Sequence, residues 1–381
     1  MKFPSIATLR FRGTRKWTVY DEDILPLWIA ESDFPTAPPV KAAIDKAVAQ
    51  EGFGYSPAPN RSTLAQAVSD FYADRYGWRP DPRGVFWIGD VVRGLLLGIQ
   101  YFTRPGSPVI VPTPAYPPFL ALPETAGRDR VEVSAEGGLD LGDIDKRFAD
   151  GAGSILLCSP HNPLGYTFDR DFLAELAEVA DRHDARILVD EIHAPLVIDG
   201  QHVPAASVSD IAARRCLTVT ATSKAWNTAG LKCAQMIFSN ARDIATWNGL
   251  NGVAKDGTGT LGIWAAEAAY AEGGDFLDAE VECLRQNRDF LVRELPAQVP
   301  GLKVTNPQAT YLMWLDFRET AIGDVDRPAQ WLRDNARVAL NEGTDFGTGG
   351  AGHARLNFAT SPEIVAEAVR RIANALSHTP K

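Results

Sequence analysis

Four short motifs carry side chains suited to chemistry, and each motif follows an apolar, β-rich run of the sequence. The motifs span residues 112–118, 159–165, 190–193 and 221–227. They contribute an aromatic ring (Tyr116), an amide (Asn162), a carboxylate beside an imidazole (Asp190, His193) and an amine (Lys224). Open α/β sheets bind ligands beyond the carboxyl ends of their strands. If the apolar runs are parallel strands of one sheet, these side chains meet in one such site.

This set of side chains matches the needs of pyridoxal phosphate. The cofactor takes a lysine for a Schiff base and a carboxylate that keeps its ring nitrogen protonated. Its ring stacks on an aromatic side chain, and its phosphate suits the free backbone N–H groups of a helix N-terminus. The stretch 89–92 opens a predicted helix and offers the N–H groups of Val91 and Val92. The sequence therefore predicts a pyridoxal phosphate site.

Taken singly, the same residues have structural explanations. Asp190 could cap the turn after its strand, because aspartate favours turns. Lys224 could be a solvated surface lysine. Asn162 could start a turn, and Tyr116 could be a packing aromatic. Together, however, these side chains match the needs of one cofactor, and each follows a strand-like run, which favours the cofactor site.

Alternating strand and helix patterns must position these residues. Strand-like runs lie at 109–111, 154–158, 186–189, 217–220 and 235–238, and helical patterns lie at 64–75, 91–102, 172–183, 276–295 and from 361 onward. Such alternation indicates an α/β fold with a mostly parallel central sheet and helices on both faces. Further strand-like runs at 303–305 and 311–317 predict a smaller α+β unit. We therefore divide the chain into an N-terminal segment (1–40), a large cofactor-binding domain (41–278) and a small C-terminal domain (279–381).

The composition argues against several classes of protein. Of 381 residues, 45% are hydrophobic and 23% charged, which is typical of a folded globular protein. No apolar run reaches the roughly 18 residues that a membrane span needs, and no signal peptide pattern opens the chain. Four scattered cysteines and six histidines show no metal-ligand spacing. A net charge of −10 argues against nucleic-acid binding. We expect a cytoplasmic protein without a metal.

A glycine-rich match at 257–262 (GTGTLG) raises the question of a dinucleotide site. That motif acts only between a strand and a helix. Here it follows the polar stretch NGVAKD, so we set aside a nicotinamide-dependent dehydrogenase.

Several motifs in register resemble a known family. Residues 159–165 (SPHNPLG), 189–193 (VDEIH) and 223–232 (SKAWNTAGLK) resemble fold-type I pyridoxal phosphate enzymes of the class I/II aminotransferase superfamily. Residues 25–34 (LPLWIAESDF), 53–56 (FGYS) and 355–359 (RLNFA) are similar to the MalY/PatB-type cystathionine β-lyases, also called cysteine-S-conjugate β-lyases. The resemblance runs from about residue 25 to the C-terminal helix. It implies an aspartate-aminotransferase-like fold, in which the N-terminal segment (1–40) packs with the small domain.

The resemblance also implies roles around the cofactor ring. Lys224 would form the Schiff base and take the α-proton of the substrate. Asp190 would pair with the ring nitrogen, and Tyr116 would stack on the ring. Asn162 and His193 would face the 3′-oxygen of the ring.

Further roles concern the phosphate and the substrate. Arg355 would hold the substrate α-carboxylate, and Tyr55 would reach the phosphate of a neighbouring subunit, which implies a homodimer with shared sites. Two positions depart from the aminotransferase pattern. Lys232 stands where an arginine usually binds the phosphate, and Ala221 stands where a serine is common; the hydroxyls of Thr222 and Ser223 are the nearest replacements.

The implied reaction is a β-elimination. A cysteine S-conjugate such as L-cystathionine would give pyruvate, ammonia and a thiol, which is homocysteine for cystathionine. Two alternatives stay open at this point. One is a class I/II aminotransferase that uses the same cofactor, and the other is a regulatory role through a protein partner.

Overall fold

The protein is described by a computed structural model that covers residues 2–58 and 61–378. Its strands are β1 (Leu25–Pro26), β2 (Val85–Ile88), β3 (Val109–Thr113), β4 (Arg130–Ser134), β5 (Ser154–Cys158), β6 (Arg186–Asp190), β7 (Cys216–Ala221), β8 (Ala234–Ile237), β9 (Lys303–Val304), β10 (Leu312–Asp316), β11 (Val338–Ala339), β12 (Asn341–Glu342) and β13 (His353–Asn357). Its α-helices are α1 (Ile6–Phe11), α2 (Arg15–Thr18), α3 (Pro38–Ala49), α4 (Leu64–Tyr76), α5 (Val91–Phe102), α6 (Pro117–Thr125), α7 (Leu141–Ala149), α8 (Arg170–Arg182), α9 (Asp210–Arg215), α10 (Ala241–Gly249), α11 (Gly252–Lys255), α12 (Thr260–Glu272), α13 (Gly274–Gln298), α14 (Pro328–Ala336) and α15 (Pro362–Ser377). Short 3₁₀ turns lie between several of them.

A seven-stranded sheet forms the centre of the molecule, in the order β2-β8-β7-β6-β5-β3-β4. β8 runs antiparallel to both its neighbours, and the other adjacent pairs are parallel. Every residue of β3, β5 and β7 is buried, as expected for strands covered on both faces. The predicted mostly parallel sheet is confirmed. The sequence did not indicate β2 and β4, which are the two edge strands.

Helix α5 packs directly against the seven-stranded sheet, and its N-terminus lies at the carboxyl edge of that sheet. A Cβ added at Gly94 would lie 2.8 Å from Cγ1 of Val219 on β7, so glycine allows the close approach. The Asp90 side chain caps the helix by accepting a hydrogen bond from the backbone N–H of Arg93 at 2.7 Å. The helix begins at Val91, as the sequence predicted.

Helix α8 shows a small shift from the predicted pattern. The sequence predicts Asp169 as its N-cap, and the Asp169 side chain does accept a hydrogen bond from the backbone N–H of Phe172 at 2.8 Å. The spacing of Phe172, Leu176, Val179 and His183 predicts that they share one helical face, but Phe172 and His183 are only partly buried. The residues that face the core are Leu173, Leu176, Ala177, Val179 and Ala180. The buried stripe is thus centred about one residue later along the helix.

A smaller antiparallel sheet forms near the C-terminus, in the order β12-β13-β10-β9. Helix α15 begins after Ser361, whose hydroxyl caps the backbone N–H of Ile364 at 3.3 Å. From the N-terminal segment, β1 pairs in parallel with β11. The division at residues 40 and 278 remains a prediction.

The cysteines, the helix lengths and the possible metal ligands bear on the classes of protein that the composition raised. All four cysteines are buried and free. Among the described residues, no helix is both long and apolar enough to cross a membrane. In the same part of the chain, no group of three or more His, Cys, Asp and Glu side chains is arranged to hold a metal ion.

Candidate active site

The carboxyl edge of the central sheet collects the predicted side chains. Asp190 is the last residue of β6, opposite Cys158, the last residue of β5. Asn162 follows β5 by four residues, and Lys224 follows the end of β7 by three. Tyr116 follows β3 and occupies the position just before helix α6. The strand order therefore brings four separate motifs to one place.

Lys224 is held in a position that depresses its basicity. Its Nζ donates a hydrogen bond to the carbonyl oxygen of Ala30 at 2.7 Å. Burial lowers the pKa of Lys224 from 10.5 to about 8; the positive charge of Arg355 adds to this, while Asp190 opposes it. Near pH 8, about half of the amine is therefore neutral and able to accept a proton.

Asp190 is a buried carboxylate with spare acceptor capacity. It is 5% exposed, and its Oδ1 accepts a hydrogen bond from the backbone N–H of Ile192 at 3.0 Å. Burial raises the pKa of Asp190 from 3.8 to about 7, against the opposing effect of Lys224. Within the described chain, its second oxygen accepts no hydrogen bond. A cationic N–H donor would therefore find a matching acceptor here.

Arg355 lies on β13 and is 3% exposed. Its guanidinium donates to Oδ1 of Asn162 at 2.9 Å, to Oδ1 of Asn341 at 2.6 Å and to the carbonyl oxygen of Trp28 at 3.3 Å. It also lies 4.9 Å from the ring centroid of Phe346. Burial lowers its pKa to about 10, so it stays charged at neutral pH. Because no described carboxylate pairs with it, this buried cation is suited to an anionic ligand.

Two rings complete the edge. Tyr116 is partly buried, and burial raises its pKa, with Arg355 opposing and Asp190 adding. His193 is 2% exposed, and its Nδ1 has no hydrogen-bond partner among the described residues. Burial, reinforced by Lys224 and Arg355, lowers the pKa of His193 well below 6.5. His193 is therefore a neutral imidazole at physiological pH.

The N-terminus of α5 lies at the same edge. Helix geometry leaves the first backbone N–H groups, those of Val91 and Val92, without helical partners, and no acidic residue occupies the first turn. Lys232 pairs its ammonium with the carboxylate of Asp90, the capping residue. The cation predicted near a phosphate is thus beside this helix terminus, shared with Asp90.

The hydroxyls that follow β7 differ in availability. Thr222 is buried, and its hydroxyl is 2.7 Å from that of Thr228. Ser223 is partly buried, and no hydrogen bond involves its hydroxyl in the described part of the chain. Ala221 is buried at the end of β7 and offers no hydroxyl.

Pyridoxal phosphate fits these features. Asp190 offers a free oxygen to a protonated ring nitrogen, His193 has an unpartnered Nδ1, and α5 presents free N–H groups to a phosphate. Lys224 supplies a partly buried amine of lowered pKa. The donor set therefore suits the cofactor at each of its ends.

Comparison with known proteins decides the family. A model of the family described as aminotransferase class I and II matches residues 22–372. The chain belongs to the aminotransferase class I and II family. It is 52% identical over 376 residues to a cystathionine β-lyase of Corynebacterium glutamicum, with 99% of this chain and 100% of that protein covered. It is 33% identical over 368 residues to the cystathionine β-lyase PatB of Bacillus subtilis, with 93% of each covered.

A solved structure from Corynebacterium diphtheriae, named as a PLP-dependent β-cystathionase, is 55% identical with a TM-score of 0.98 and covers all of both chains. An aspartate aminotransferase variant of Thermus thermophilus is 26% identical with a TM-score of 0.80, over 95% of this chain and 99% of that one. The aspartate-aminotransferase-like fold expected from the sequence is thus confirmed.

One predicted site residue, Tyr55, lies away from the other site residues of this chain. Tyr55 is fully exposed on the loop after α3, as is most of Phe53 beside it. A single chain does not bring Tyr55 into its own site. The role predicted for Tyr55 requires a second subunit and remains a prediction.

The sequence alone did not indicate several groups that contribute to this candidate site. These are the carbonyl oxygens of Trp28 and Ala30 and the side chains of Tyr311, Asn341 and Phe346. The 25–34 motif could have indicated the two carbonyls, because it supported the family resemblance. No local pattern marks the three side chains, which come from the smaller sheet and its connections.

Proposed function

We propose that the protein is a pyridoxal phosphate-dependent carbon–sulfur lyase acting on L-cystathionine or related cysteine S-conjugates. The buried Arg355, which has only neutral partners and lies at the same edge as Lys224, carries this proposal. It places a carboxylate receptor and a base together, as an amino-acid substrate requires. The 52% identity to a cystathionine β-lyase over the whole chain supports the choice of substrate.

The residues at the sheet edge would hold the cofactor. Pyridoxal phosphate, when bound, supplies a conjugated ring that accepts the electron pair left at the substrate Cα. Asp190 would keep a proton on the ring nitrogen, because its free oxygen can accept that N–H. Tyr116 would cover the ring face, while Asn162 and His193 would face the ring oxygen.

The phosphate would bind at the N-terminus of α5. The N–H groups of Val91 and Val92 and the hydroxyls of Thr222 and Ser223 are the available donors. Lys232 would add positive charge there, moderated by Asp90.

The protein groups that act on the substrate follow from their positions. Arg355 would bind the α-carboxylate through its planar fork, held in place by Asn162 and Asn341. Nζ of Lys224 would take the proton from Cα, since its lowered pKa leaves a neutral fraction near pH 8. The Cβ–S bond then breaks, and the departing sulfur takes up a proton and leaves as the thiol. The released 2-aminoacrylate reacts with one water molecule to give pyruvate and ammonia.

We propose that the active form is a homodimer in the cytoplasm, with Tyr55 of each subunit serving the other subunit's phosphate. The full exposure of Tyr55 supports this, because an exposed side chain does not reach the site of its own chain and is free to contact the phosphate of another subunit. Exposure of 63% for the neighbouring Phe53 also fits a surface that is covered in an assembly.

The test is a product assay without a keto acid. Purified protein loaded with pyridoxal phosphate is incubated with L-cystathionine, and pyruvate and free thiol are measured. We expect equal amounts of both products, and no turnover in Lys224→Ala. Turnover that appears only when a keto acid is supplied would replace the lyase by an aminotransferase, the alternative that the family name supports. A protein that neither binds the cofactor nor turns over substrate would instead favour a regulatory role.

A further inference from the structure

A short wall beside Lys224 is formed by residues 28–33, which we call the wall segment. Its six successive carbonyl oxygens all accept hydrogen bonds from side chains elsewhere in the chain. The donors, from the first carbonyl to the last, are Arg355, Asn357, Lys224 with Tyr311, Lys16 with Asn357, Asn227, and Arg12. These carbonyls are partly or fully buried, and buried backbone carbonyls in proteins almost always have such partners. The backbone N–H of Asp33 also donates to the carbonyl oxygen of Ala359 at 2.8 Å. The wall segment is therefore held mainly by side chains and has no strand or helix of its own.

The far end of the wall segment is attached by a buried ion pair. Nζ of Lys16 lies 2.9 Å from Oδ2 of Asp33, and the two side chains are 0% and 3% exposed. Nε1 of Trp17 donates to Oδ1 of the same carboxylate at 2.7 Å. Lys16 also donates to the carbonyl oxygen of Glu31 at 3.1 Å. Nε1 of Trp28, at the other end of the wall segment, donates to the carbonyl oxygen of Lys16 at 3.3 Å. Helix α2, which carries Lys16 and Trp17, is thus attached to the wall segment by four contacts.

Such a pair fixes geometry more than it adds stability. Desolvation of two charges offsets much of their attraction, so apolar residues of similar size often replace a buried pair without loss of stability. What the pair does specify is where Asp33 lies. Asp33 is three residues from Ala30, whose carbonyl oxygen accepts hydrogen bonds from both Lys224 and Tyr311.

We infer that Lys16, Trp17 and Asp33 are positioning residues, which hold the Ala30 carbonyl against the amine of Lys224. This inference rests on the proposed role of Lys224 as the base. A fixed carbonyl orients the amine and accepts an N–H after the amine takes up a proton. The wall segment would also cover part of the Lys224 side chain, which is partly buried.

The first test uses cofactor-free protein, so that it does not depend on the reaction. The double variant Lys16→Met/Asp33→Asn removes one charge of each sign and keeps an oxygen for Trp17. The groups that set the charge around Lys224, which are Asp190, Glu31 and Arg355, stay unchanged. Competitive acetylation of Lys224 across pH gives its pKa, and amide hydrogen exchange reports the wall segment.

We expect the pKa of Lys224 to rise by about one unit, because water relieves the burial that lowers it. We also expect the backbone amides of Glu31 and Asp33 to exchange about tenfold faster, since local opening governs their protection. Loaded with pyridoxal phosphate, the variant should keep its cofactor content. Its kcat on L-cystathionine should fall about tenfold or more with little change in KM, because the base is misplaced while Arg355 is intact.

The matched control is Lys41→Met/Asp45→Asn, which removes an exposed ion pair on α3. It should leave all readouts at wild-type values. Wild-type pKa, exchange and kcat in the Lys16/Asp33 variant would overturn the inference. If that variant does not fold, Trp17→Phe takes its place, because it removes only the indole N–H donor. An unchanged Lys224 pKa together with unchanged amide exchange in Trp17→Phe would then overturn the inference. A wild-type protein without lyase activity would refute the proposed function, while acetylation and exchange would still report on the positioning.

Discussion

Asp190 shows how strongly burial changes a single carboxylate. Its pKa is raised to about 7 in the folded protein, against an ordinary value of 3.8 that the unfolded chain keeps. Between these two values the folded state holds a proton that the unfolded state releases. The free energy of unfolding therefore falls as pH rises from about 4 to about 7, at roughly 1.4 kcal/mol per pH unit. Above pH 7 the full penalty is present.

Asp190→Asn should therefore make the cofactor-free protein more stable. Asparagine keeps an oxygen for the Ile192 N–H and never ionises. We expect a gain of about 2–4 kcal/mol at pH 8, shrinking towards zero near pH 4. Urea unfolding at a series of pH values measures it. With pyridoxal phosphate added, the order should reverse, because the carboxylate then gains a cationic partner; a gain that is independent of pH would contradict the cause assigned to it.

Residues of the site divide into two groups by how well the sequence indicated them. Asp190 is the last residue of a buried strand, and Asn162 and Lys224 follow two neighbouring buried strands, so strand order brings the three together. Asn341 contacts Arg355 because β12 pairs with β13 and makes the two residues cross-strand partners, and Phe346 lies on the 3₁₀ turn that follows β12. Contacts of that kind depend on tertiary packing, which no local spacing records.

Among the elements, the edges of the sheet were hardest to predict. β4 has two exposed residues and one fully buried residue out of five, and β2 has only four residues. Both lie at the ends of the strand order, where one side of the strand has no neighbour. The central strands were predicted to within two residues because burial on both faces demands continuous apolar runs.

Helix α5 depends on a close approach just before its first turn. A Cβ added at Gly89 would lie 2.8 Å from the carbonyl oxygen of Gly257. Gly89→Ala must therefore displace one of two backbone segments beside the proposed phosphate site. We expect a loss of about 1–3 kcal/mol in the free energy of unfolding, typical of overpacking, and weaker retention of pyridoxal phosphate on dialysis.

The matched substitution is Gly249→Ala at the end of α10. An added Cβ there meets no atom within 4 Å, so stability should hold or rise slightly. Equal effects of the two substitutions would show that the approach of Gly89 to Gly257 is not the cause.

At the scale of the whole molecule, the position of Tyr55 gives the decisive prediction. Lys224 lies at the sheet edge, while Tyr55 is fully exposed on a loop of the same chain. If each site takes Lys224 from one subunit and Tyr55 from the other, two damaged chains can form one intact site. Lys224→Ala supplies the tyrosine, and Tyr55→Ala supplies the lysine.

The two variants are unfolded, mixed in equal amounts and refolded together. Random pairing makes half of the dimers mixed, and each mixed dimer has one intact site of two. The mixture should therefore regain about a quarter of wild-type lyase activity. Each variant refolded alone is the control and should stay well below that value. Sedimentation should give a particle of twice the chain mass in every sample. A mixture no more active than the mean of its components, in samples that are dimeric, would show that Tyr55 does not serve the partner's site.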